Sequence, residues 1–531
     1  MTDNNEKKSF IFCIILHQPN LATPNTDITN AHNSWNNDLF PAITHTYIPL
    51  LKMFDTLVQE RVPFRVNMVI TPTLCALLDD YIVQEHYTFW LENLINLGEK
   101  EVERTQHEEH FHNLAKEYLK ELKQIYSYFV GECQGNLLIK FKEYAKSRHI
   151  EFLATAIEHC YLPHYIHLNE FINAQIEAGI IAHRNYFGLV PNGFWLPLMG
   201  YTNGLEKHIQ KYRFDYTVLD THGFLFANPE PTNGIFTPMR CNNSLAVFAN
   251  DYISQKMVFG SQGFIHNHLY RNQNRDIGFE SAIDDLHMVL QEDCFRYATG
   301  FKYWANGESD TLYNIAAAKK QAELDAGIFV KNQLNRLEQA ADELPGKHTS
   351  LVCVLKEQNL GRNWHESIYW LSHVLRKLAR RDETDNALCN ELITQKINLQ
   401  KAEFFMSSFE DTGYAENLLT GENTRFFRLS CKVAERMTDL ANRFPRDIGL
   451  REYALNLAAR QTFFATSSDW VNMPQPHTND EPDLFTQSVL DFLTLFESCT
   501  SNSIDIDWIT KKEKQYPLFP WINYRMFLKK R

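Results

Sequence analysis

Phe10-Ile11-Phe12-Cys13-Ile14-Ile15-Leu16 is continuously apolar and rich in β-branched residues, and it stops at His17-Gln18-Pro19. A run this short with no polar alternation suits a strand covered on both faces, as in a parallel sheet. Phe64-Arg-Val-Asn-Met-Val-Ile70 repeats the pattern and ends at Thr71-Pro72. Glu151 to Ala156, Gly193 to Leu196, Tyr216 to Leu219 and Leu351 to Leu355 are further strand candidates, each followed by polar residues and then a stretch of helical period. Alternating β and α elements predict a parallel barrel or a doubly wound sheet, with the site at the strand C-termini. Residues 74–146 are charged and helical in period, which predicts an insertion between two strands. After about residue 385 the strand candidates stop, and the rest reads as helices with a break near Pro474 and Pro476.

The chain has 531 residues, enough for a large barrel and a further domain. Hydrophobic residues make up 44%, so a substantial core can form, and the net charge of −13 argues against nucleic acid or an anionic membrane as partner. The ten cysteines are scattered without any Cys-x-x-Cys pair, the pattern of reduced, buried thiols. The apolar run after the polar N-terminus is too short for a signal peptide, and no run of about 18 apolar residues occurs, so a soluble cytoplasmic protein is expected.

Ordered motifs sharpen this picture. After His17-Gln18-Pro19 come Ala42 to Leu51, Glu158-His159-Cys160-Tyr161-Leu162-Pro163, Trp195-Leu196-Pro197-Leu198-Met199-Gly200-Tyr201, Asp220-Thr-His-Gly223 and Arg275-Asp276-Ile277-Gly278. Ser407-Ser408-Phe409, Ser467-Ser468-Asp469-Trp470 and Phe519-Pro520 to Arg525 follow. In this order the blocks resemble the 1,4-alpha-glucan branching enzymes of glycoside hydrolase family 57. The resemblance implies an α/β fold: an incomplete (β/α)7 barrel over residues 1–385 with its helical insertion at about 74–146, and an all-helical C-terminal domain over 386–531. It also implies an α-glucan cleft, with no cofactor.

The same resemblance places leucine and lysine where the family has its two acids. A retaining glycosidase needs two carboxylates about 5 to 5.5 Å apart, one a nucleophile and one an acid/base. The family's Trp-Leu-Pro-Glu nucleophile position is Leu198, and aligning on Gly361 puts Lys356 at the acid/base position. Strand alternation would point Glu357 the opposite way from Lys356. The resemblance leaves His17, His159, Trp195, Tyr201, Asp220, Trp364 and Trp470 to hold sugar by stacking and hydrogen bonds, although Trp195 and Trp470 equally suit core packing.

His107-Glu-Glu-His110-Phe-His112 does not present three imidazoles on one helical face, so it reads as a solvated face and no metal site is expected. Three functions follow: a catalytically inactive homologue that binds α-glucan or an enzyme of glycogen metabolism; an active branching enzyme; or a different sugar-active enzyme using Lys356, Glu357 and Glu366.

Overall fold

The computed structural model describes residues 8–20, 34–281, 296, 298–307, 310–381, 384–393, 398–409, 412–472 and 483–529. The expected break at Pro474 and Pro476 lies outside the described residues.

The apolar run beginning at Phe10 is the hub of the sheet. β1 (Lys8–Leu16) pairs in parallel with β2 (Val66–Ile70) on one edge and, along eight residues from Lys8↔Thr349 to Ile15↔Lys356, with the strand Thr349–Lys356 on the other. β2 continues to β3 (Ile150–Phe152), which runs on past Leu153 into β4 (Ala154–Thr155). β4 pairs with β5 (Phe194–Trp195), and a bridge from Gly193 to Tyr216 carries the sheet to β6 (Tyr216–Leu219). A short β7 (Met239–Arg240) lies antiparallel to β8 (Ala246–Ala249), which is parallel to β6. Among the described residues β9 (Thr349–Lys356) closes a ring of seven parallel strands, counting β3 and β4 as one. That closure is thin: one bridge from Asn250 to Val352, with Asp251 N donating to Val352 O at 2.7 Å.

Alternation sorts the side chains. Ile11, Cys13, Ile15, Val69, Leu153, Trp195, Tyr216, Val218, Phe248, Val352 and Val354 pack together inside the barrel. Phe10, Phe12, Ile14, Leu16, Leu351, Cys353 and Leu355 face outward into the helical layer, against helices such as Ile315–Glu343 and Ser367–Leu378. Burying one such side chain contributes roughly 1.5–3 kcal/mol. The parity has a functional consequence: His17 and Lys356 continue the inward set, and Glu357 continues the outward one.

The insertion is helical as expected, in Pro72–Asp79, Tyr81–Arg104, Glu109–Ser127 and Leu138–Lys146. The second boundary differs from expectation. β10 (Thr384–Asn386) pairs with β1, and among the described residues the first C-terminal α-helix begins only at Thr424. Between them the chain climbs the barrel: Ala387 N donates to Phe10 O, Arg240 bridges to Lys401, Tyr201 to Ser407, and Phe409 N donates to Leu198 O at 2.7 Å. This strap carries too few alternating apolar residues to read as strand. Its edge pairings come from residues more than 150 positions away, so no local pattern announces it. The helices Thr424–Arg443, Leu450–Ala465, Leu484–Ser501 and Ile506–Gln515 then pack with Asn169–Phe187 into one apolar cluster. Among the described residues no helix is long and apolar enough to cross a membrane.

Candidate functional site

The inward-facing residues at the ends of β1, β2 and β4 meet a loop of the helical region at the barrel mouth. His17 follows β1, and its Nδ1 lies 3.0 Å from Thr71 Oγ1 at the end of β2. Its Nε2 lies 3.1 Å from both carboxylate oxygens of Asp469, and His159 Nδ1 lies 2.7 Å from Asp469 Oδ1. The imidazole rings are 4.1 Å apart between centroids, tilted by 36°. Ser467 Oγ donates to Asp469 Oδ2 at 2.9 Å, and Ser468 N donates to His159 O, so the loop after Ala465 is fastened to the barrel.

These contacts set the charges. Burial pushes the Asp469 carboxyl up, but the two imidazoles hold it well below the usual carboxylate range. Burial disfavours the His17 imidazolium, yet the Asp469 carboxylate raises its pKa above the ordinary histidine value. His159 moves the other way, lowered by burial and then by His17. Beneath them Glu158 accepts from Thr73 Oγ1 at 2.9 Å, and burial pushes its carboxyl up to about 8.

The turn after β5 and the end of β9 carry Leu198 and Lys356. Leu198 sits in the tight turn Pro197–Met199 after β5 with φ of 57°, and Met199 follows at 50°. The left-handed region is costly for a branched side chain, and such strain concentrates at functional sites. Lys356 ends β9, and its Nζ lies 3.5 Å from the centroid of the Phe409 ring. Phe409 therefore touches both positions, by its N–H to Leu198 O and by its ring to Lys356. Glu357 points to the outer side, where it accepts from Tyr47 Oη, Gln18 Nε2 and His17 N and is 2% exposed. Burial pushes its pKa up to about 7. Glu366 accepts from Tyr313 Oη at 2.7 Å and from Arg271 N at 3.1 Å, apart from the contacts of Lys356 and Glu357. Among the described residues Glu357 and Glu366 share no hydrogen-bond partner.

The aromatics expected to stack on sugar are core residues instead. Trp364 is 1% exposed and packs on Tyr270 and Trp370; Trp470 donates Nε1 to Phe464 O and packs edge-on to that ring. Tyr201 is buried with Oη on Glu206, and Trp195 fills the barrel interior. A large apolar ring gains more from close packing than from exposure, and sequence does not say which side it faces. Asp220 is half-buried and caps the short helix Thr221–Leu225 through His222 N at 3.0 Å. Among the described rings that reach solvent, Phe226, Phe405 and Tyr414 group around His222, which lies 4.4 Å from Tyr414 and 5.0 Å from Phe226 between centroids.

Asp469, Thr71, Glu158 and Phe409 are the site residues that sequence reading missed as functional. Asp469 stands one position before Trp470 in a block already noted, but its partner His17 is 452 positions away. No local signal joins them.

The profile of Glycosyl hydrolase family 57 matches residues 11–312, and that of the 1,4-alpha-glucan branching enzyme C-terminal region matches residues 430–527. The 1,4-alpha-glucan branching enzyme TK1436 of Thermococcus kodakarensis is 23% identical over 473 residues; the match covers 81% of this chain and 65% of that protein, just under two thirds of its length. The crystal structure of the alpha-amylase AmyC from Thermotoga maritima superimposes with a TM-score of 0.89 at 28% identity, covering 98% of this chain and 99% of that one. A GH57-type branching enzyme from Pyrococcus horikoshii gives a TM-score of 0.82 at 21% identity, covering 98% and 97%, which is a likeness of fold. The parallel barrel, the helical C-terminal region and a profile match spanning more than half of the sequence agree: the chain belongs to glycosyl hydrolase family 57.

Proposed function

We propose that this chain is a catalytically inactive member of the family that binds α-glucan in glycogen-type metabolism. One observation carries the reading. The turn after β5 ends in an alkyl side chain at Leu198, and the inward end of β9 is a lysine laid against Phe409. Neither can attack an anomeric carbon, and an ammonium at the acid/base position opposes the positive charge of an oxocarbenium-like transition state. The described carboxylates nearby are engaged elsewhere: Asp469 with two histidines, Glu357 on the outer face, Glu158 with Thr73. What remains suits binding, with imidazoles at the mouth to meet hydroxyls and exposed rings at Phe226, Phe405 and Tyr414 to stack on glucose.

The test is incubation of the purified chain with amylose, followed by iodine staining and debranching. No new α-1,6 branches are expected from the unmodified chain, and their appearance would overturn the reading. Affinity electrophoresis in glycogen should retard the protein. Migration unchanged by glycogen would replace the glucan with a protein partner, an enzyme of glycogen metabolism. The pair Leu198→Glu and Lys356→Asp restores the two missing acids at positions already held by the strained turn and the strand end. It is expected to give measurable cleavage if position alone was intact.

A further inference from the structure

We propose that His17, His159 and Asp469 form a binding site for one divalent zinc-type cation at the barrel mouth. Each offers one ligand atom, Nε2, Nδ1 and a carboxylate oxygen, and all three lie within 4.8 Å of one another. Two imidazoles and one carboxylate are the donor set that zinc and its neighbours accept, whereas magnesium and calcium want oxygen alone.

The spacing is that of a set drawn slightly together. Zinc–ligand bonds of about 2.0–2.1 Å in a tetrahedron put neighbouring ligand atoms about 3.3 Å apart. Here His17 Nε2 to Asp469 is 3.1 Å and His159 Nδ1 to Asp469 is 2.7 Å, so an ion needs openings of about 0.2 and about 0.6 Å. The rings, 4.1 Å apart, must spread with them.

Two of the three ligands have a supporting contact. Metal-binding histidines have their second nitrogen held by an oxygen, which fixes the ring. Thr71 Oγ1 does this for His17 Nδ1, and Ser467 Oγ holds the second oxygen of Asp469. Coordination uses the lone pairs of His17 Nε2 and His159 Nδ1, so each ring keeps its proton on the other nitrogen, and Thr71 accepts that of His17. An entry path exists as well, since the three side chains are 15%, 19% and 14% exposed. With three protein ligands a fourth position is left for water or a sugar hydroxyl.

A second grouping, His167, Cys431 and Glu435, makes a useful contrast. It stands at the surface, with His167 55% and Glu435 49% exposed. It is removed from the experiment by working in a Cys431→Ser background.

The full-length chain is stripped with chelator and titrated with zinc chloride, with stoichiometry read by elemental analysis and affinity by calorimetry. One ion per chain is expected, with a rise in Tm. Asp469→Asn and His159→Gln should each abolish stoichiometric binding. Because either change can also disturb folding, Thr71→Val is the milder variant; it keeps all three ligands and should weaken zinc by roughly 10–100-fold. Cobalt in place of zinc should give the visible bands of a four-coordinate N/O site. Zinc uptake that is absent, or unchanged in all three variants, would overturn the proposal.

Discussion

Glu151 and Asp469 are desolvated carboxylates toward opposite ends of the barrel, and they answer desolvation in opposite ways. Glu151, among the N-terminal ends of the strands, accepts from Asn67 Nδ2 at 2.9 Å and Asn192 Nδ2 at 3.3 Å, while Asn67 also donates to Tyr216 Oη. Burial pushes its pKa up to about 7, and these neutral donors only moderate the rise. Asp469 at the mouth suffers the same desolvation, but two imidazoles reverse its effect. Neutral hydrogen bonds soften the desolvation of a charge; partners that can themselves be charged overcome it. The lower end of the barrel is built to be filled, and the mouth to hold charge.

Removing the clasp should break the comparison most sharply. Asp469→Ala leaves two imidazoles facing each other in a partly dry mouth, an expected loss of about 3–5 kcal/mol. Asp469 has a depressed folded pKa, so its contribution is present above about pH 4 and is lost as pH falls through the folded value. His17 has a raised folded pKa, so its contribution is full below about pH 6.5 and is lost as pH rises through the folded value. Urea unfolding of both proteins across pH should show the largest difference between these limits. A difference flat from acid to alkaline pH would show that Asp469 only fills space.

At the lower end the sign is reversed. Glu151 has a raised folded pKa, so its stabilisation is complete below about pH 4.5 and is lost as pH rises through about 7. Glu151→Gln mimics the protonated form and keeps the amide contacts. It should match the parent near pH 4 and exceed it by roughly 2–3 kcal/mol near pH 8. Parallel curves over the whole range would remove the contrast between the two ends.

Sequence reached the scaffold more fully than the site. The run from Phe10 announced a strand buried on both sides, and alternation from it correctly separates Lys356 from Glu357, because a period of two is local information. β8 was missed: Ala246-Val-Phe-Ala249 is only four residues long and sits between loops. The clasp was half legible. His17 and His159 stand at strand ends, where barrels put function, but Asp469 reaches them from a helical region more than 300 positions away. The tryptophans misled because the apolar area that makes them good sugar platforms also makes them good core.

The inward end of β9 sets a cation on an aromatic face, and this extends the comparison. Lys356 is set on the face of Phe409, a contact of about 0.5–2 kcal/mol. Phe409→Ala should cost about 1–2 kcal/mol in all, and a double-mutant cycle with Lys356→Met should recover roughly 0.5–1 kcal/mol of it as coupling. Zero coupling would mean that the ring supports only the backbone of Leu198.

The smallest effect is expected at Leu198 itself, and its smallness is the informative part. A partly buried leucine cut back to a small residue ordinarily costs a few kcal/mol. Here the backbone is left-handed, at φ 57°, which costs a non-glycine residue about 1–2 kcal/mol. Leu198→Gly relieves that strain while giving up side-chain contacts and loosening the unfolded chain by about 0.5–1 kcal/mol. The terms nearly cancel, so thermal unfolding should shift by the equivalent of less than about 1 kcal/mol. A loss above about 2 kcal/mol would instead make Leu198 a packed core residue whose contacts hold the turn. The left-handed turn would then be a consequence of the leucine, and Leu198→Glu would not be expected to present its carboxylate to the mouth.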